Sequence, residues 1–201
     1  MNSLLSRHHL SWLINIMTRR VFNLANNLTF FRIVIVPVLI VILLYSTNKN
    51  SCLIAAALFI IAALTDWLDG YIARRQNLIT SLGKFLDPLA DKVLVSVTLI
   101  MLLSLDRVPA WIVAVIIARE VAVTGLRIAV SHEKVIIEAS KLAKYKTVFQ
   151  LSATAALLIH YTYFNINFHL LGMTLLWIAL VITLWSGLIY FIKIFSHTST
   201  P

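Results

Sequence analysis

Six apolar stretches follow one another along this chain, at 29–46, 51–72, 81–105, 108–130, 145–163 and 168–195, with short polar gaps between them. Each is close to or above the ~20 residues that a helix needs to cross a bilayer. None alternates polar and apolar positions as a barrel strand would. In lipid, helices and closed barrels are the only elements that satisfy their own backbone groups. The pattern therefore predicts an all-α polytopic membrane protein with six transmembrane helices. Residues 1–28 mix apolar and polar side chains at roughly helical spacing, which predicts an N-terminal amphipathic helix lying in the interface. Their apolar core is short and interrupted, and no small-residue cleavage site follows, unlike a secretory signal. The expected organisation is an extension with an interfacial helix at 1–28, a six-helix domain at 29–195 and a tail at 196–201.

Composition agrees with this picture. Hydrophobic residues make up 60% of the 201 residues and charged ones only 12%, and the mean hydropathy is +0.91, values that exclude an ordinary soluble domain. The net charge of +9 would suggest nucleic acid in a soluble protein. Here the basic residues fill the gaps between apolar runs and no aromatic-basic interleaving offers base stacking, so no nucleic-acid partner is expected. Alternate gaps differ in charge. One set holds Arg19, Arg20, Arg74, Arg75, Lys84, Lys134, Lys141, Lys144 and Lys146, with Lys193 near the end of the last run; the other holds only Lys49 and Arg107. The positive-inside rule then puts both termini in the cytoplasm. A single cysteine, Cys52, permits no internal disulfide and no thiolate metal site, and reads as small apolar filler.

Against this background the acidic residues stand out. Half of the eight, Asp66, Asp69, Asp87 and Asp91, lie in one 26-residue stretch at the cytoplasmic side of the second and third runs. Carboxylates in or beside a membrane are costly and point to function. Spacings of three and four put each pair on one face of a helix. A hairpin between the two runs would face the pairs toward each other. Two unit charges 4 Å apart repel by about 4 kcal/mol at an effective dielectric near 20. Either several carboxylates are protonated, or hard divalent cations lie among them. All-oxygen ligation suits Mg²⁺, Mn²⁺ or Ca²⁺ rather than zinc, and a two-metal site of this kind suits phosphate oxygens. Gly70 and Gly83 interrupt the same helical pattern, at positions where a ligand or a backbone would come close.

The segment reads Asp66-x2-Asp69-Gly70-x2-Ala73-Arg74-x8-Gly83-x3-Asp87-x3-Asp91. It resembles the signature of the CDP-alcohol phosphotransferases, with all eight positions filled at the family's spacing. Further stretches resemble the bacterial branch of that family that makes phosphatidylglycerophosphate. These are Asn23 to Arg32 at the start of the first run, Phe85 to Lys92, Arg119-Glu120 with Arg127, and Ser140-x2-Ala143-Lys144-x-Lys146-Thr147-x2-Gln150. Ala25 and Ala143 replace a proline and a glycine usual in that branch.

The resemblance implies transfer of a phosphatidyl group from CDP-diacylglycerol to sn-glycerol 3-phosphate with release of CMP, or to another acceptor such as inositol phosphate, serine or phosphatidylglycerol. It implies two divalent ions, Mg²⁺ or Mn²⁺, held by Asp66, Asp69, Asp87 and Asp91, with Asp91 also the base for the acceptor hydroxyl. Asp66, Asp69, Gly70, Ala73, Arg74 and Gly83 would surround the CDP moiety. A homodimer in the bacterial cytoplasmic membrane, with its active site facing the cytoplasm, is implied as well. A phosphorylated acceptor calls for a second cationic patch, and Arg119, Arg127, Lys144 and Lys146 are its candidates. Plainer readings stand beside these. Arg119 pairs with Glu120 or touches the aspartates, Lys144 and Lys146 are ordinary positive-inside charge, and Arg32 snorkels to headgroups. The six histidines show no shared face, and Trp67 packs. Membrane prenyltransferases place their aspartate motifs far apart in the chain, and transporters want acids on several helices at mid-membrane, so both fit poorly.

Overall fold

The computed structural model describes the backbone at residues 24–76, 81–131 and 141–198, and side chains within 31–65, 92–126 and 144–192. Residues 1–23, with most of the expected interfacial helix, lie outside the described residues, as do 199–201 at the tail. Six helices are described: α1 Leu24–Tyr45, α2 Lys49–Gln76, α3 Ser81–Ser104, α4 Ala110–Ser131, α5 Lys141–Ile159 and α6 Phe168–Thr198. Each overlaps one of the six apolar runs. Among the described residues one span, Phe168–Ile192 of α6, is long and apolar enough by itself to cross a membrane. Shorter apolar stretches occupy Phe31–Tyr45, Lys49–Thr65 and Lys92–Ser104.

The helices pack as a ring in the order α1–α2–α5–α6–α4–α3, and α3 closes it against α1 while also touching α2 and α5. Leu39, Leu43, Phe59, Leu94, Leu99, Leu102, Ile112, Ile116, Leu157 and Leu176 fill the interior, each nearly or fully buried. The outward faces are apolar too. Val34 on α1, Leu64 on α2, Ile100 on α3, Val121 on α4, Val148 on α5 and Val181 on α6 are all exposed. A helix hydrophobic on every side suits a lipid surround. Three threonine hydroxyls of the bundle turn back on their own helix: Thr98, Thr124 and Thr154 donate to the carbonyls of Leu94, Glu120 and Gln150, which satisfies them without water.

One end of the bundle is tied by polar contacts. The α1–α2, α3–α4 and α5–α6 connections meet there. The buried Arg107 donates to the carbonyls of Leu157 and Leu158, at 3.3 and 3.1 Å. A cation at the C-terminus of α5 satisfies orphan carbonyls and opposes the helix dipole. The same guanidinium donates to the Sγ of Cys52, a fully buried residue that thus has a polar contact beyond its role as filler. Tyr161 Oη donates to the Thr47 carbonyl at 2.7 Å.

The fifth helix stops earlier than the apolar pattern suggests. His160 adopts φ 62°, and Thr162–Tyr163 (β1) pairs antiparallel with Ile166–Asn167 (β2). Phe164 and Asn165 make the two-residue turn, both at positive φ, as the twist of a tight hairpin requires. His160 and His169 stack edge to face, with ring centroids 4.9 Å apart, so two of the histidines do share a face. Burial first, then the charges of Arg107 and His169, hold the His160 imidazole below its ordinary pKa.

Gly172 of α6 lets α5 and α6 come close together. A Cβ there would lie 2.7 Å from Leu157 Cγ and 2.9 Å from the Leu157 backbone nitrogen, so the spacing of α5 and α6 at this point leaves no room for a side chain. Gly172→Ala is expected to destabilise the protein by about 1–3 kcal/mol through overpacking. A thermal melt in detergent measures it, and Gly125→Ala, where nothing lies within 4 Å, is the matched control.

Candidate active site

A narrow cleft of about 90 Å³ opens between α3, α4 and α5, lined by Lys92, Ser96, Glu120, Lys146, Thr147 and Gln150 with Val95 and Leu151. It is several times larger than the space one water needs. Three of its walls come from regular helical spacing. On α5, Lys146, Gln150, Ala153, Thr154 and Leu157 are all buried, a stripe at intervals of three and four residues that faces the bundle. Lys146 and Gln150 are the polar end of this stripe, where it leaves the apolar core.

Glu120 of α4 is the hub of the cleft. Its Oε1 pairs with the Lys146 ammonium and lies 3.4 Å from Arg119 Nη1, while its Oε2 lies 3.8 Å from Lys92 Nζ. Side-chain exposures are 6% for Lys146, 14% for Arg119, 16% for Glu120 and 34% for Lys92, so the cluster is largely shielded from water. Such shielding strengthens the attractions and makes loss of either partner costly. Arg119 reaches the other way as well: Nη2 donates to Ser186 Oγ of α6 at 2.8 Å, and Ser186 in turn donates to the Thr183 carbonyl. The guanidinium runs over Gly187, where a Cβ would meet Arg119 Cγ and Nε at 3.4 Å. Arg119 is thereby fixed between α4 and α6.

The sequence-derived candidates divide accordingly. Arg119 and Lys146 come together on Glu120. Lys144, two residues from Lys146, is exposed on another face of α5. Arg32 is fully buried inside the bundle, where snorkelling to headgroups is not available to it. Asp66, Asp69, Gly70, Ala73 and Arg74 fall on α2, Gly83, Asp87 and Asp91 on α3, and Arg127 on α4; their side chains, and that of Trp67, lie outside the described residues. Helical backbone at both aspartate pairs keeps the three- and four-residue spacings on single helix faces. The Arg119–Glu120 pair expected from the sequence is present, at 3.4 Å, whereas Lys92, Ser96 and the place of Glu120 at the cleft's centre were not singled out. Their signal was available in Glu120 itself, an acid inside an apolar run that had to find cations.

Comparison with known proteins bears on the whole arrangement. Residues 22–185 match the model of the CDP-alcohol phosphatidyltransferase family, a span that takes in α2 and α3 with their aspartates and every residue of the cleft. A relative from Bacillus subtilis (strain 168), called CDP-diacylglycerol–glycerol-3-phosphate 3-phosphatidyltransferase, is 45% identical over 187 residues, covering 86% of this chain and 95% of its own length. Relatives of the same name from Rickettsia typhi (strain ATCC VR-144 / Wilmington) and Salmonella choleraesuis (strain SC-B67) are 43% identical over 170 residues and 39% over 175. Each covers 84% of this chain, and 95% and 93% of its own length. With the aspartate motif, the six-helix ring and this similarity over most of its length, the chain belongs to the CDP-alcohol phosphatidyltransferase family.

Proposed function

We propose that this protein transfers a phosphatidyl group from CDP-diacylglycerol to sn-glycerol 3-phosphate, giving phosphatidylglycerophosphate and CMP. It works as a six-span homodimer of the bacterial cytoplasmic membrane, with both termini and the active site facing the cytoplasm. The observation that carries the choice of acceptor is the shielded cluster of Lys146, Arg119 and Lys92 around one carboxylate. Such a cluster suits an acceptor that brings a phosphate, and has little to offer serine.

The donor set of the aspartate motif fits a hard divalent cation. Asp66, Asp69, Asp87 and Asp91 present only carboxylate oxygens, at spacings that share a helix face, and Mg²⁺ or Mn²⁺ prefers such ligands. These four residues would hold two ions, which when bound supply charge neutralisation to the diphosphate. Gly70, Ala73 and Gly83 would border the CDP moiety, and Arg74 would add a donor for its phosphates. Asp91 takes the proton from the acceptor hydroxyl as that oxygen bonds to the lipid-bearing phosphorus and the bond to CMP breaks. Arg119 and Lys146 fix the acceptor phosphate, the guanidinium by its fork and the lysine as a point charge. Lys144 and Arg127 add positive potential on the approach.

Incubating the purified protein with CDP-diacylglycerol, Mg²⁺ and a panel of alcohols is expected to release CMP with sn-glycerol 3-phosphate and to stop in excess EDTA. Release with serine or inositol phosphate in its place would reassign the acceptor. Asp91→Asn should lower turnover by about 100-fold or more, the scale of a lost general base, with the melting temperature retained. Substantial residual turnover would remove Asp91 as the base. Lys146→Ala should raise the KM for glycerol 3-phosphate roughly tenfold or more while leaving that for the CDP-lipid near its original value; equal effects on both would place Lys146 outside the acceptor subsite.

A further inference from the structure

α6 carries a hydrogen-bond acceptor for Arg119 in a stretch that otherwise has little polarity. From Leu175 to Ile189 its only side-chain oxygens are those of Thr183 and Ser186. Both residues are buried. With Gly187 they recur at three- and four-residue spacing, so one face of the helix holds all three. The Ser186 hydroxyl donates its proton to the Thr183 carbonyl at 3.1 Å, a local bond to the preceding turn. With that proton committed, the oxygen presents its lone pairs to Arg119 Nη2, which meets it at 2.8 Å. At Gly187 a Cβ would already stand 3.4 Å from Arg119 Cγ and Nε, so a larger side chain would crowd the arginine stem. α6 thus gives Arg119 both an anchor and a place to lie.

We infer that Ser186 is a positioning residue of the acceptor site: it holds one arm of the Arg119 guanidinium so that the other arm faces the cleft. This rests on the acceptor reading given above, and adds a residue of α6, outside the cleft lining, to those that set acceptor affinity. The second arm, Nη1, lies 3.4 Å from Glu120 Oε1, and Glu120 lines the cleft. A guanidinium is a rigid planar fork, so holding one Nη limits where the other can lie. Arg119 makes further contacts as well. Ser186 is suited to its part among them because a hydroxyl has no charge, and so directs the cation without competing with a phosphate for it. A side chain ordered before binding also loses less entropy when the ligand arrives.

The reaction decides which constant such a residue moves. The acceptor keeps its phosphate through the transfer, away from the bond that forms. A contact to that phosphate holds substrate and transition state alike, and uniform binding of this kind acts on KM and leaves kcat in place.

The full chain in detergent is assayed with Ser186→Ala. Its KM for sn-glycerol 3-phosphate is expected to rise roughly fivefold to tenfold, the scale of one hydrogen bond to a charged group. The kcat and the KM for CDP-diacylglycerol should stay near their original values. A residue that only joined α4 to α6 would lower the melting temperature and disturb both substrates together, and that outcome overturns the proposal, as does an unchanged acceptor KM. Should Ser186→Ala not fold, Ser186→Cys keeps the volume and replaces the oxygen by a weak acceptor, with the same outcomes read from it. The route through Arg119 is tested by a double-mutant cycle. In an Arg119→Lys background, Ser186→Ala should change the acceptor KM by less than about twofold; the full effect there would show Ser186 acting by another route. A native chain that uses a different phosphorylated alcohol fails the acceptor reading alone, and the comparison is then made on the KM for that alcohol.

Discussion

The arrangement of the polar end of this bundle depends on one carboxylate holding cations where water scarcely reaches. Three basic side chains converge from α3, α4 and α5, and an apolar bundle tolerates them only with a counter-charge among them. Glu120 supplies one, and its contacts join α3, α4 and α5. Arg119 extends the constraint to α6 through Ser186. At the opposite end Arg107 and Tyr161 tie three connections together through backbone carbonyls. The bundle is therefore locked by polar contacts at both ends and filled by aliphatic packing between them.

Much of the fold was legible because lipid-length apolar runs admit few other structures. Helix positions agree with the six runs within a few residues where polar ends continue a helix, as at Leu24–Tyr45 and Lys49–Gln76. The exception is instructive. The apolar run of α5 reads on to residue 163, but His160 leaves the helical region and a two-residue turn follows at Phe164–Asn165. Asn suits a positive φ and Phe does not, so the turn carried only half of its usual signal. The meeting of His160 with His169 follows from that hairpin and has no signature of its own.

The ring order was not legible, since nothing in an apolar run says which neighbour it will choose. The proposed acceptor side was legible as a set of residue types but not as a geometry. Lys144 and Lys146 are separated by about 200° around a helix, so one faces inward and the other outward. Hydropathy could not choose between them; the buried stripe through Gln150 and Thr154 does. Arg32 illustrates the same gap. A long basic side chain near a helix end is as compatible with headgroups as with the interior, and only packing puts it inside.

The place of α3 in the ring suggests why one fold handles a lipid donor and a polar acceptor together. α3 touches α1, α2, α4 and α5, so it belongs both to the aspartate hairpin with α2 and to the cationic cleft with α4 and α5. Asp91 and Lys92 are consecutive on it. In the proposed reaction the base and a cation of the acceptor cleft thus ride on one rigid helix, and neither moves without the other.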